Sequence, residues 1–198
     1  MSEREGLLCP FFGIWDHVGN SVREFDILQN KQKGGRMSDK KKVYVETTVV
    51  SDATALPTND LSLAGRQIVT REWWNKAPDH FDLFVSPVVR REAMKGNPSA
   101  AARRMEALRD IPSVELTNEA VSLAEKLVER KTVPKEYGED AMHIAVAAVS
   151  GMDYLVSWNF KHITNAQMIP KIKQVCADNG YRCAEICTPQ MLQEGGAE

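Results

Sequence analysis

The sequence predicts an α/β fold with a mainly parallel central sheet. Short β-prone runs alternate with helical periods from Lys42 onward, the order that builds parallel sheets through helical crossovers. The first run, "VYV" at 43–45, is apolar without alternation, as in a strand buried on both faces. Ser86-Pro87 then supplies a cap followed by proline at the first helical position, an unambiguous helix start after the second run.

The elements follow in order. Residues 61–75 read as a helix carrying Leu61, Leu63, Ile68 and Trp74, and "FDLFVS" at 81–86 reads as the second strand. A helix starts at Pro87, and another spans 97–111, opening near Ser99. "SVELT" at 113–117 has the composition of a short strand. "NEAVSLAEKLVERK" at 118–131 places Ala120, Val121, Ala124, Leu127 and Val128 on one helical face. A helix at 139–151 ends on Gly151 and leads into a strand at 153–158. A last helix near 164–178 precedes a short strand near 182–187.

Residues 1–36 differ. "LLCPFFGIW" is briefly apolar and "DILQNKQKGGR" is polar, so this stretch reads as an N-terminal extension, either disordered or upstream of a natural start at Met37. Lys33-Gly34-Gly35 is what a purine-rich ribosome-binding site would encode by accident. The folded domain is then expected over 37–198.

With 43% hydrophobic and 26% charged residues, the chain has the composition of an ordinary globular domain that needs no disulfide or structural metal. The net charge of −2 makes any nucleic-acid surface a local one. Cys9, Cys176, Cys183 and Cys187 contain no C-x-x-C pair and fit idle thiols in a reducing cytoplasm. No apolar run approaches the ~20 residues of a membrane span, and no membrane association is expected.

Three acids stand where a packed fold would favour apolar residues. Glu46 directly follows "VYV", and ligands of open parallel sheets sit beyond the carboxyl ends of strands. Glu92 shares a helical face with Val88 and Val89. Asp140 shares a face with His143, Ile144 and Ala147, in a first turn that favours negative charge. Asn159, after the strand "YLVS", ends another strand, with Ser157 two residues before it. Each has an ordinary reading alone: a strand end, a boundary glutamate paired with arginine, a cap, a turn. His143 reads as a core or supporting histidine. Taken together they imply one site, because converging carboxylates repel unless one protonates or a cation joins them. Magnesium accepts carboxylates directly or through water and keeps positions for phosphate, which points to metal-assisted chemistry on a phosphate ester.

The stretches "VYVETTVVS", "SPVVRREAMKG" and "EDAMHIAVAAVSGMDYLVSWNFKHI" resemble the successive motifs of PIN-domain proteins, among them the VapC-like toxins of toxin–antitoxin pairs, over about residues 42–190. The resemblance implies a three-layer α/β/α sandwich and a Mg²⁺- or Mn²⁺-dependent endoribonuclease. By position, Glu46, Glu92 and Asp140 match the family's first three acids and Asn159 the fourth, while Thr48 and Ser157 match small polar supporting residues. Two departures stand out: Glu46 where aspartate is commonest, and Asn159 where many members have aspartate. The implied roles are Glu46 and Asp140 holding the cation, directly or through water, and Glu92 orienting or deprotonating the attacking water. An RNA substrate, a cognate antitoxin protein and a homodimer are the implied partners.

RNA needs positive charge along its backbone. The candidates are Arg90, Arg91 and Lys161, with Lys40 to Lys42, Arg103 and Arg104 behind them. Trp158 is either core or a base-stacking surface, and Trp73-Trp74 are candidates to cover a helix or a partner. A PIN fold without chemistry, serving as an RNA- or protein-binding module, is the competing reading, and Asn159 favours it. A phosphoacceptor domain lacks its aspartate after a central strand, and a serine hydrolase lacks a G-x-S-x-G elbow.

Overall fold

The computed structural model describes residues 40–193, so the expected extension over 1–36, with Cys9, lies outside the described residues. Strand β1 (Lys41–Val45) is followed by helix α1 (Thr47–Thr54), α2 (Leu61–His80), β2 (Phe81–Phe84), α3 (Pro87–Ala93), α4 (Pro98–Ala107) and α5 (Asn118–Glu129). A 3₁₀ turn at Lys135–Tyr137 leads into α6 (Gly138–Val149), then β3 (Tyr154–Val156), α7 (Ile169–Asp178), β4 (Glu185–Cys187) and α8 (Pro189–Gln193).

The four strands form one sheet in the order β2-β1-β3-β4, with every pairing parallel. The chain thus moves from β1 to one side and then crosses back over to β3 and β4. Right-handed crossovers send connections made in opposite directions to opposite faces of the sheet. The helix contacts agree: α1, α2 and α8 pack among themselves, and α5 packs on α6 and α7. The expected α/β fold with a parallel sheet is the observed one.

The core is driven by the central strand. Val43, Tyr44 and Val45 are fully buried. Val49 and Val50 of α1 are equally buried, and each such valine contributes about 1.5–3 kcal/mol. Helix α6 is buried continuously from Ala141 to Ala148, which explains its apolar run. Polar side chains cap the helices: Ser86, as the sequence suggests, and also Asp60, Asn97 and Thr117 each accept a backbone N–H from the first turn of the helix that follows.

Several expectations need correction. Residues 113–117 form no strand: among the described residues their ladder contact is one isolated bridge from Ser113 to Val85, made by Val85 N–H on the Pro112 carbonyl and Val114 N–H on the Val85 carbonyl. Helix α1 was not anticipated, since Thr-Thr-Val-Val is β-branched and reads as strand. Helix α2 runs five residues past 75 to His80 and buries a different face: Gln67, Thr70, Trp73 and Ala77 point inward, while Leu61 and Ile68 are exposed and Trp74 is half-buried. Helix α7 begins at Ile169 rather than near 164.

Candidate functional site

Parallel strands put all their carboxyl ends on one edge, and there the chain turns from β1 and β2 directly into helices and from β3 into a loop. Glu46 follows β1 and is the N-cap residue of α1. Ser86 lies just past β2 and caps α3. Ser157 and Asn159 follow β3. Helix α3 touches both α1 and α6, and so carries Glu92 between the Glu46 turn and the first turn of α6, where Asp140 sits.

The result is a cleft of about 420 Å³ whose walls include Glu46, Thr48, Glu92, Asp140 and Asn159. The cleft thus brings together Glu46, Thr48, Glu92, Asp140 and Asn159, with Ser157 bonded to Glu46 and His143 to Glu92. Ligand atoms of Glu46, Glu92 and His143 lie within 4.8 Å of one another, so the described residues contain a buried acid–histidine cluster of the kind that can hold a metal.

Each carboxylate is held differently. Glu46, 4% exposed, accepts the hydroxyls of Thr48 (2.5 Å) and Ser157 (2.8 Å) on Oε2. Thr48 in turn accepts the backbone N–H of Trp158 at 2.9 Å, and Ser157 accepts that of Asn159 at 2.9 Å. Burial pushes the Glu46 carboxyl above its usual range, against the pull of His143 and the two hydroxyls. Glu92 also gathers its bonds on Oε2: the Thr47 hydroxyl donates to it, and His143 Nε2 lies 3.0 Å away. Burial works upward on Glu92 too, but the hydrogen bond and charge of His143, with Thr47, outweigh it and hold the carboxyl down at about 2. Burial pushes Asp140 up, partly offset by Asn159 and by the His143 and His162 charges. Its Oδ2 is buried with no hydrogen-bond partner.

These facts decide how a cation would fit. Both nitrogens of His143 are engaged, Nε2 by Glu92 and Nδ1 by the Tyr44 hydroxyl at 2.9 Å. A histidine with both nitrogens committed has no lone pair to spare, so it serves as partner of Glu92 rather than as ligand. What remains at the cluster is Oε1 of each glutamate, outside the hydroxyl and imidazole bonds, while the unsatisfied Oδ2 of Asp140 belongs to a side chain lining the same cleft. Hard cations such as Mg²⁺ and Mn²⁺ take such donors, and the residues present fit them.

The candidate RNA contacts fare unevenly. Arg90 donates to the carbonyls of Leu108 (3.1 Å) and Ile111 (2.7 Å), closing the end of α4. Arg103 and Arg104 likewise donate to backbone carbonyls, of Thr54 and of Ala93 and Lys95. Lys40 reaches the Pro78 carbonyl, and Lys41 pairs with Asp153 at 3.7 Å. Arg91 and Lys95 both meet Glu139 beside the cleft, at 3.2 and 3.0 Å. Lys161 donates to the Tyr137 hydroxyl at 2.7 Å, above a Tyr137 ring that stacks on His162. Trp158 is core: it is 7% exposed and donates its Nε1–H to Thr70. Trp73 is buried as well. Thr47, Tyr44 and Ser86 complete the site's hydrogen bonding; Thr47 and Tyr44 were not singled out from sequence, and Ser86 was read only as a helix cap. Thr47 stood one residue from Glu46, but nothing in the sequence marked it as a partner of Glu92.

A second recess of about 710 Å³ lies next to the cleft, lined by Leu61, Leu63, Val69, Trp158 and Phe160. Arg66 borders both spaces, paired with Asp52 at 2.5 Å. No described helix is long and apolar enough to cross a membrane.

No protein-family model matches the chain, and no curated protein matches it. Among solved structures, the chain is similar to a chain of VapBC2 from Rickettsia felis bound to a DNA fragment from their promoter: identity is 9%, the TM-score is 0.48, and the match covers 74% of this chain and 98% of that chain.

Proposed function

We propose that this protein is a divalent-metal-dependent endoribonuclease of the PIN-domain kind, the toxin of a toxin–antitoxin pair. The observation that carries the chemistry is the convergence of Glu46, Glu92 and Asp140 on one cleft at the carboxyl edge of a parallel sheet. Two of these carboxyls are pushed up by burial, and one has an unsatisfied buried oxygen. Such a group is costly without a cation.

A bound Mg²⁺ or Mn²⁺ would polarise the phosphate and make water a nucleophile near neutral pH. The protein's own residues do the rest. Thr48 and Ser157 hold Glu46 by one oxygen, and Thr47 and His143 hold Glu92 by one oxygen. Against the upward push of burial, the bonds from His143 and Thr47 hold the Glu92 carboxyl below its usual range and fix one of its oxygens, which suits it to orient the attacking water. Asn159 donates its backbone N–H to Ser157 and accepts the His162 N–H on its side-chain oxygen at 3.1 Å. It thus shapes the cleft without adding charge. Arg66 and Lys95 line the cleft and Arg91 meets Glu139 beside it, so these cations are at hand for an RNA backbone, with Lys161 a further candidate from the sequence. The antitoxin and the homodimer rest on the sequence motifs.

The test is incubation of the purified protein with structured RNA and Mn²⁺, with and without EDTA. Cleavage that EDTA abolishes, and that falls more than ~100-fold in Glu46→Gln and Asp140→Asn, is expected, since even outer partners of a metal site are worth 10–100-fold. One observation favours the binding module: the Asn159 side-chain oxygen is already committed to His162. RNA that is bound yet intact with every metal tried would decide for that module.

A further inference from the structure

Behind Glu92 a buried hydrogen-bonded chain crosses the centre of the molecule. The Val89 N–H donates to Ser86 Oγ at 3.4 Å. Ser86 Oγ lies 2.7 Å from the Tyr44 hydroxyl, which lies 2.9 Å from His143 Nδ1. His143 Nε2 then lies 3.0 Å from Glu92 Oε2. Tyr44, Ser86 and His143 are each 0% exposed. The chain begins and ends on helix α3, and on the way it passes through the central strand and α6.

With His143 neutral, the ends of the chain fix its proton directions. At one end a backbone N–H can only donate. At the other, a carboxylate without a proton can only accept. A single arrangement satisfies both with a neutral ring: Val89 donates to Ser86, Ser86 to Tyr44, Tyr44 to Nδ1, and Nε2–H to Glu92. Every polar group is then paired and every bond points toward the cleft.

Packing alone does not ask for this. Phenylalanine would fill the place of Tyr44 without burying a hydroxyl, and buried polar groups are retained at a cost in desolvation. What the chain supplies is direction. A histidine's ring orientation and the position of its proton are set by the bond its other nitrogen makes, and such outer partners orient the groups that hold or serve a metal.

We propose that Tyr44 is a positioning residue for Glu92, acting through His143 and backed by Ser86. The proposal rests on the nuclease reading for its catalytic consequence, but not for its structural one. Tyr44 fixes the ring, the ring fixes Glu92 Oε2, and Oε1 is thereby aimed at the water that Glu92 orients.

The experiment compares wild type with Tyr44→Phe in three measurements: Mn²⁺-dependent RNA cleavage, Mn²⁺ affinity by calorimetry, and the ¹⁵N spectrum of labelled histidine without metal. In Tyr44→Phe, kcat is expected to fall about 10–100-fold with KM little changed. Mn²⁺ binding should weaken, and the His143 signals should lose the Nε2–H pattern seen in wild type. A Tyr44→Phe protein with wild-type kcat and wild-type Mn²⁺ affinity overturns the proposal, as does a wild-type His143 carrying its proton on Nδ1 alone. Should Tyr44→Phe not fold, Ser86→Ala takes its place, with a smaller loss of kcat expected and an unchanged kcat counting against the proposal. A wild type that cleaves no RNA sinks the nuclease reading instead, and calorimetry and the histidine spectrum still decide the role of Tyr44.

Discussion

The Thr48 hydroxyl accepts the backbone N–H of Trp158 at 2.9 Å and donates its own proton to Glu46 Oε2 at 2.5 Å. One small side chain thus ties the turn after β1 to the turn after β3 and fixes the most buried acid of the cleft. Thr48→Val keeps the shape and removes both bonds. It should cost about 1–3 kcal/mol, the penalty for stranding buried partners, read from the denaturant midpoint. Thr48→Ser, which keeps the hydroxyl, should stay close to wild type. Equal stability of the valine and serine variants would mean that the pairing carries no energy.

Stability should respond to pH and cations together. Burial places the folded pKa values of Glu46 and Asp140 above their usual range. A carboxyl raised by folding contributes its stability below its unfolded pKa of about 4 and loses it as pH rises through the folded value. His143 acts in the same direction. Burial lowers its pKa, but Glu92, Glu46 and Asp140 together raise it, so its contribution is also lost as pH rises through the folded value. Glu92 runs the other way, losing its contribution only as pH falls through about 2. Metal-free protein should therefore melt lower at about pH 7.5 than at about pH 5, and Mg²⁺ or Mn²⁺ should raise the melting temperature more at the higher pH. Identical cation-induced shifts at both pH values would contradict the site.

Gly151 closes α6 with φ of +63°, and a Cβ there would meet nothing within 4 Å. Gly151→Ala then suffers backbone strain alone, about 1–2 kcal/mol. Gly151 lies at the opposite end of α6 from Asp140, so RNA cleavage should be unchanged at a temperature where both proteins are folded. A loss of activity without a loss of stability would show that the end of α6 communicates with the cleft.

Much of the frame was legible in the sequence because strands buried on both faces write themselves as continuous apolar runs, as "VYV" does. The acids were legible for the same reason, being breaks in otherwise apolar stripes. Helix α1 was hidden because Thr47, Thr48, Val49 and Val50 prefer strands by themselves, and packing overrides that preference. The inward face of α2 was hidden because it is partly polar: Thr70 satisfies Trp158 Nε1–H and bonds to the Arg66 carbonyl, and Gln67 is buried beside Arg71. No hydrophobic period announces such a face. The partners of Glu92 were hidden by distance along the chain, since the touching pairs Tyr44–Ser86, Tyr44–His143 and His143–Glu92 are 42, 99 and 51 positions apart.

The strand order β2-β1-β3-β4 has one more consequence. Successive connections leave β1 and β2 toward opposite faces, so a gap opens above the strand tips that no apolar side chain has to span. Side chains hung on those tips face that gap, and only those bonded like Glu46 and Glu92 are tied to the layers beneath. A side chain that faces only the gap can be exchanged there at little cost to the packing below. Activity and foldedness can then drift independently, and descendants of such a scaffold can fall silent as enzymes while remaining sound as proteins.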